Sequence, residues 1–153
     1  MSARSKSKVA KKPRPNRIRP AVQYALARRG VPSATRLRRW TLGYRGVTLR
    51  IVGAREGRRI NRQFRGVNRP TNVLSFSTGD IVLCHPVIER EARRQGKSLA
   101  AHYAHLVVHG VLHLRGYDHK RKGEAARMEN AERRILARLG FGDPYAVESA
   151  APR

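Results

Sequence analysis

Three histidines fall within eleven residues, in the order His-Gly-Val-Leu-His-Leu-Arg-Gly-Tyr-Asp-His from His109 to His119. Four residues apart on a helix, His109 and His113 differ by about 40° in direction, so both rings leave one face and reach a common point. Gly116 ends that helix with a turn that a residue bearing a Cβ resists, and it brings the chain back so that His119 approaches the same point. Three neutral imidazoles with one position left open are the arrangement of a catalytic zinc site, and imidazole suits other late first-row divalent metals as well. The competing reading is three unrelated histidines on a helix and its following turn. The register, with glycine at the turn, favours the metal site.

The spacing is that of the metzincin signature H-E-x-x-H-x-x-G-x-x-H, except that Gly110 stands where the signature has glutamate. In those proteases the glutamate takes the proton from metal-bound water, so the expected general base for peptide hydrolysis is missing here. A metal in the same cage can still polarise a phosphoryl oxygen or activate water.

Charge points to the substrate class. Thirty-four Lys and Arg stand against ten Asp and Glu, a formal net charge of +24. Such a field attracts phosphates and speeds their encounter, so a polyanionic partner is expected, nucleic acid ahead of an acidic membrane. The first acidic residue is Glu56, which leaves the amino-terminal third uncompensated. Residues 1–20, with Pro13, Pro15 and Pro20, read as a disordered basic arm, either a nucleic-acid contact or a solubilising tail. Residues 21–145 read as the folded domain and 146–153 as a flexible tail. The arm also has the composition of an organelle transit peptide, although its prolines oppose an amphipathic helix. A length of 153 residues with 40% hydrophobic content suits one domain with a single core. Cys84 is the sole cysteine, which excludes an intramolecular disulfide and a Cys-based zinc cluster and fits a reducing compartment. No run of about 18 apolar residues and no signal-peptide core occur, so a cytoplasmic protein without a membrane role is expected. No feature bears on oligomeric state.

Ala21 to Arg29 is a short helix or a first strand, since pattern alone does not decide so short an apolar run. Pro32-Ser33 opens a helix through Trp40 with Ser33 as its cap. Gly46 to Val52 alternates as a strand, and Arg55 to Arg65 is a helix stopped by Gly66. Asn72–Phe76 and Gly79–Cys84, joined by Ser77-Thr78, form an antiparallel hairpin. Helices follow over Pro86 to Gln95, from the Ser98 cap to Gly116, and over Lys122 to Leu139. The interleaving predicts a single α+β domain, helices packed on a small mixed sheet.

The chain resembles the YbeY endoribonucleases of ribosomal RNA maturation. The resemblance is carried by His109 to His119, by Asn61 to Phe76 read as N-x-x-(Y/F)-R-G-x-x-(R/K)-P-T-N-V-L-S-F, and by Gly79-Asp80-Ile81-Val82. It extends to Ala101-His102-Tyr103-Ala104-His105, Leu139-Gly140-Phe141 and Asp143-Pro144-Tyr145, and so spans roughly Val47 to Tyr145. It implies an α+β metalloprotein that holds one zinc ion through His109, His113 and His119, with water as the remaining ligand. It also implies a single-strand-directed endoribonuclease that matures the 3′ end of 16S ribosomal RNA and serves ribosome quality control. Its partners would be single-stranded ribosomal RNA and the ribosome or pre-ribosomal particle. Arg65 matches the family's other functional residue, and a guanidinium there can grip a phosphate in bidentate fashion and stabilise charge developing on it. The family usually has proline after Ser-Phe and a run on the order of twenty residues before Gly-Asp, where this chain has only Ser77-Thr78. That shortening removes one expected wall of the substrate groove.

Other residues admit several readings. Asp80 is an acceptor for a metal ligand, a water-orienting base or a turn residue. His105, one turn before His109, competes as a ligand, but the cage is complete without it and a hydrogen-bonded histidine is favoured. Asp118 orients a histidine or closes an Asx turn, with Tyr117 beside it. Cys84 reads as a small buried hydrophobe, and His85 has no visible partner. Two functional alternatives stand beside the nuclease: a non-catalytic RNA-binding assembly factor with a structural metal, and a metallopeptidase whose base comes from outside the motif.

Overall fold

The computed structural model describes residues 19–118 and 120–146. Most of the basic arm (1–18), His119 and the tail after 146 lie outside them. In chain order the elements are β1 (Ala21–Tyr24), α1 (Ala34–Trp40), β2 (Thr48–Val52), α2 (Ala54–Arg65), β3 (Val73–Ser75), β4 (Asp80–Cys84), α3 (His85–Gln95), α4 (Leu99–Leu114) and α5 (Lys122–Arg138). The expected α+β domain is what forms.

Local chemistry sets the boundaries. Ser33 and Ser98 accept hydrogen bonds from the backbone of Arg36 and Ala101, capping α1 and α4. Gly66 and Gly96 close α2 and α3 in the left-handed conformation. The Ala21 segment is a strand: Val22 and Tyr24 are half-buried while Ala21 and Gln23 are exposed, a period of two, and the strand pairs with β2.

The sheet has the order β1-β2-β4-β3, with β1–β2 and β2–β4 parallel and β3–β4 antiparallel. Alternation along its central strands divides the interior. Leu49, Ile51, Ile81 and Leu83 join the main core with α4, while Val52, Val82 and Cys84 form a smaller cluster on the other face with Leu74 and Val87. On that second face a Cβ on Gly57 of α2 would stand 2.9 Å from Cys84 Sγ. Cys84 is the buried hydrophobe expected, its thiol pushed up by burial.

On the main face, α4 packs tightly against the sheet at Gly110. A Cβ there would lie 3.1 Å from Ile81 Cδ1, Ile81 Cγ2 and Ser75 Oγ, in side chains of two paired strands. The glutamate of the metzincin pattern is therefore absent for a packing reason: the helix rests on the sheet through bare backbone. The hairpin turn is equally tight. Gly79 has φ +103°, its amide donates to Phe76 O, its carbonyl accepts from Thr48 N, and a Cβ on it would lie 2.2 Å from Gly46 O.

Gly79→Ala should therefore cost about 3 kcal/mol, combining a disfavoured φ with a backbone clash. Gly142→Ala, with open space around it and no positive φ, should stay within about 0.5 kcal/mol of the parent. Urea unfolding midpoints of the two variants test the difference. Gly110→Val should cost about 2–3 kcal/mol despite the better helix propensity of valine, because the overpacking falls between two paired strands. A thermal midpoint lowered by less than about 3 °C would contradict this account of the helix–sheet contact.

Candidate metal centre and groove

Four histidines lie on one stripe of α4. Successive ring centroids are 6.4 Å apart from His102 to His105, 6.2 Å from His105 to His109 and 4.8 Å from His109 to His113. Side-chain exposure rises from 4% at His102 through 13% at His105 to 23% at His109, so the row runs from the interior to the surface. His102 belongs to the scaffold. Its Nε2 lies 2.8 Å from Glu91 of α3, which also accepts from Asn72, and burial lowers the ring's pKa against the pull of Glu91.

The next two rings converge on Glu132 of α5, which is fully buried. His109 Nδ1 stands 2.5 Å from its Oε2 and His105 Nε2 3.1 Å from its Oε1, and the Tyr145 hydroxyl donates to Oε1. Burial pushes this carboxyl up, but the bonds from His105, His109 and Tyr145 outweigh it and hold the group down at about 2. An ionised carboxylate only accepts, so both rings donate to it. Among the described residues, His105, His109 and Glu132 form a group able to hold a metal, with donor atoms within 4.8 Å of one another. A tetrahedral zinc with bonds of about 2.0–2.1 Å would set its donors about 3.3 Å apart. The 2.5 Å contact is too short for two donors on one zinc ion and is instead a short ring–carboxylate hydrogen bond.

On their other side, His109 and His113 line an open groove of about 670 Å³. Arg65, from the last turn of α2, lines it too, with Arg45. Thus Arg65, His109 and His113, distant in sequence, are brought together. The side of the groove left short by the Ser77-Thr78 connection is formed by that turn itself and by the Tyr44–Gly46 loop. His119 lies outside the described residues. The turn leading to it is well defined: Gly116 has φ +99°, its amide donates to His113 O and the Tyr117 amide to Leu112 O, the paired bonds of a Schellman motif. Its neighbours Asp118 and Lys120 line a second depression with Arg65 and His113.

The residues left open by sequence take definite places. Asp80 accepts from Thr78 Oγ1 at 2.6 Å, which is the turn reading. Asp118 accepts from the Lys120 amide in an Asx-type contact. His85 does have a partner, the Tyr103 hydroxyl at 2.7 Å, and burial lowers its pKa. Sequence reasoning missed Glu132 and Tyr145. The signal for Glu132 was present, since it occupies the apolar stripe of α5 with Met128, Ala131 and Leu136, where an unpaired carboxylate is not tolerated.

Among the described residues no helix is long and apolar enough to cross a membrane. The family model for Endoribonuclease YbeY matches residues 3–140. Proteins named Endoribonuclease YbeY from Stenotrophomonas maltophilia (strain K279a) and Alkalilimnicola ehrlichii are 47% and 49% identical to this chain. The first match covers 88% of this chain and 97% of the relative, the second 83% and 90%. One of the same name from Aromatoleum aromaticum is 51% identical over 75% of this chain and 82% of its own. The solution structure of TM1509 from Thermotoga maritima shares the fold with a TM-score of 0.51 and 24% identity, covering 82% of this chain and 99% of that one. The chain belongs to the YbeY endoribonuclease family.

Proposed function

We propose that the groove cleaves single-stranded regions of ribosomal RNA or its precursor, at the 3′ end of the small-subunit RNA. The observation that carries this reading is the meeting of His109, His113 and Arg65 on one open, cationic groove. His109, His113 and His119 would hold a zinc ion. What supports this set is two imidazoles edge to face at 4.8 Å, one with a carboxylate on its far nitrogen, and Asp118 and Lys120, the sequence neighbours of His119, in one depression with His113. When bound, zinc supplies Lewis acidity toward a phosphoryl oxygen or water.

The chain's own groups do the rest. Arg65 presents two N–H donors to a phosphate and stabilises charge gathering on its oxygens during displacement. Thr71, Asn72, Ser75, Ser77 and Thr78 line the groove with short polar groups suited to sugar and phosphate. Phe64, next to Arg65, is 58% exposed and meets Phe76 edge to face at 5.1 Å, and Phe76 also lines the groove. An aromatic face beside a phosphate clamp is what an unpaired base stacks on, which favours single strands over duplex.

Zinc-loaded protein is expected to cut an end-labelled single-stranded RNA carrying the ribosomal 3′ sequence. His113→Ala and Arg65→Ala should each cut at least about 100-fold more slowly. If all three bind the RNA and none cuts it, the RNA-binding assembly factor with a structural metal is the better description. Phe64→Ala should weaken single-strand binding by about 5- to 10-fold in filter assays, leave duplex binding unchanged and leave the thermal midpoint at the parental value.

A further inference from the structure

We infer that Glu132 is a positioning residue that fixes His109 as its Nδ1–H tautomer and thereby aims the Nε2 lone pair at the groove, with Tyr145 and His105 holding the carboxylate in place. This rests on the groove being a zinc site. A carboxylate with no exposed surface, on the apolar stripe of α5, costs several kcal/mol unless its oxygens are used. A leucine would fill the same volume without that cost. Here both oxygens are used: Oε1 takes His105 and Tyr145, and Oε2 takes His109. A neutral imidazole that donates from Nδ1 keeps its lone pair on Nε2, and His109 lines the groove. His105 Nδ1 is buried with no hydrogen-bond partner among the described residues, as expected of a ring that serves Glu132 through Nε2 alone.

The third support is brought in from beyond the last helix. Tyr145 is held by its own amide on Asp143 Oδ1 at 2.8 Å, and Asp143 takes Arg133 Nε on both oxygens at 3.1 and 3.2 Å. The Arg133 guanidinium lies 5.3 Å from the Tyr145 ring centroid, and Lys97 Nζ donates to Pro144 O at 3.1 Å. The segment after α5 is thus fastened at three points, and its hydroxyl reaches His109 through one carboxylate.

The test is Glu132→Gln in the full chain. A carboxamide can turn its NH₂ toward His109, which then accepts at Nδ1 and carries its proton on Nε2, the wrong nitrogen for a metal. Zinc affinity, measured by competition with a chromogenic chelator, should fall about 10- to 100-fold. The ¹⁵N spectrum of the metal-free protein should show His109 as Nδ1–H in the parent and not in the variant. Tyr145→Phe, which leaves the carboxylate in place, should weaken zinc by about 3- to 10-fold and decides the matter should Glu132→Gln not fold. Parental affinity in both variants overturns the inference. So does a Glu132→Gln loss as complete as that of His113→Ala, which would make the carboxylate a ligand. A parent that binds no zinc defeats the metal reading itself, and the His109 tautomer in the metal-free spectrum still decides the role of Glu132.

Discussion

The contact of α4 with the sheet at Gly110 sets where each of that helix's four imidazoles can point. With the helix seated on Ile81 and Ser75 through that residue, the direction of each neighbour follows from about 100° per residue. His113 and His109 lie about 60° and 100° to one side of the contact, and His102 and His105 fall about 80° and 140° to the same side. The stripe therefore looks along the sheet surface, toward α3 at His102 and toward α5 and the groove at His105, His109 and His113. A side chain at position 110 would press on Ile81 and Ser75, which carry the register of that row against the sheet. The same tightness recurs at Gly79 against Gly46, where the hairpin turn is locked to the loop before β2 and both glycines line the groove.

Imidazole–carboxylate bonds then fasten α4 to its neighbours at two depths. His102 with Glu91 joins it to α3, and His105 and His109 with Glu132 join it to α5. The inner pair has no access to the groove and contributes alignment. The outer set has one ring at the groove wall, so an interaction that would otherwise be structural acquires a directional consequence for the site. Burial of the carboxylate matters for this reason: no water competes for its oxygens, and the orientation it imposes on His109 is not shared with solvent.

Elements bounded by local chemistry were legible in the sequence. Ser33, Ser98, Gly66, Gly96 and Gly116 act where they stand, through caps and left-handed turns within a few residues, and the Ser77-Thr78 link forced the hairpin. The Ala21 to Arg29 segment was ambiguous because so short an apolar run cannot separate the two periods, and only pairing of its first residues with β2 decides it. The co-location of Arg65 with the histidines rested on resemblance, since nothing local ties the end of α2 to the end of α4. Glu132 stood out as a carboxylate on an apolar stripe, but its partners, like Tyr145 and the partner of His85, were hidden for one shared reason. Their meaning lies in contacts across 13 to 40 residues, which neither spacing nor propensity encodes. Gly110 illustrates the reverse case, a visible departure from a known pattern whose cause is visible only in three dimensions.

The excess of positive charge needs to be separated from the chemistry. Arg55, Arg58, Arg59 and Arg62 of α2 border a depression on the outer face, while Arg65, one turn further on, lines the groove with the imidazoles. Exposed cations act on a polyanion through a field screened over about 8 Å at physiological ionic strength, so they govern encounter and nonspecific affinity and weaken together as salt rises. Arg65 differs from them in place and not in kind. The helix carries it to the turn at Gly66, beside the groove that His109 and His113 also line. On a surface rich in cations, this groove is the point at which an arginine and two imidazoles coincide, and the proposed chemistry rests on that coincidence.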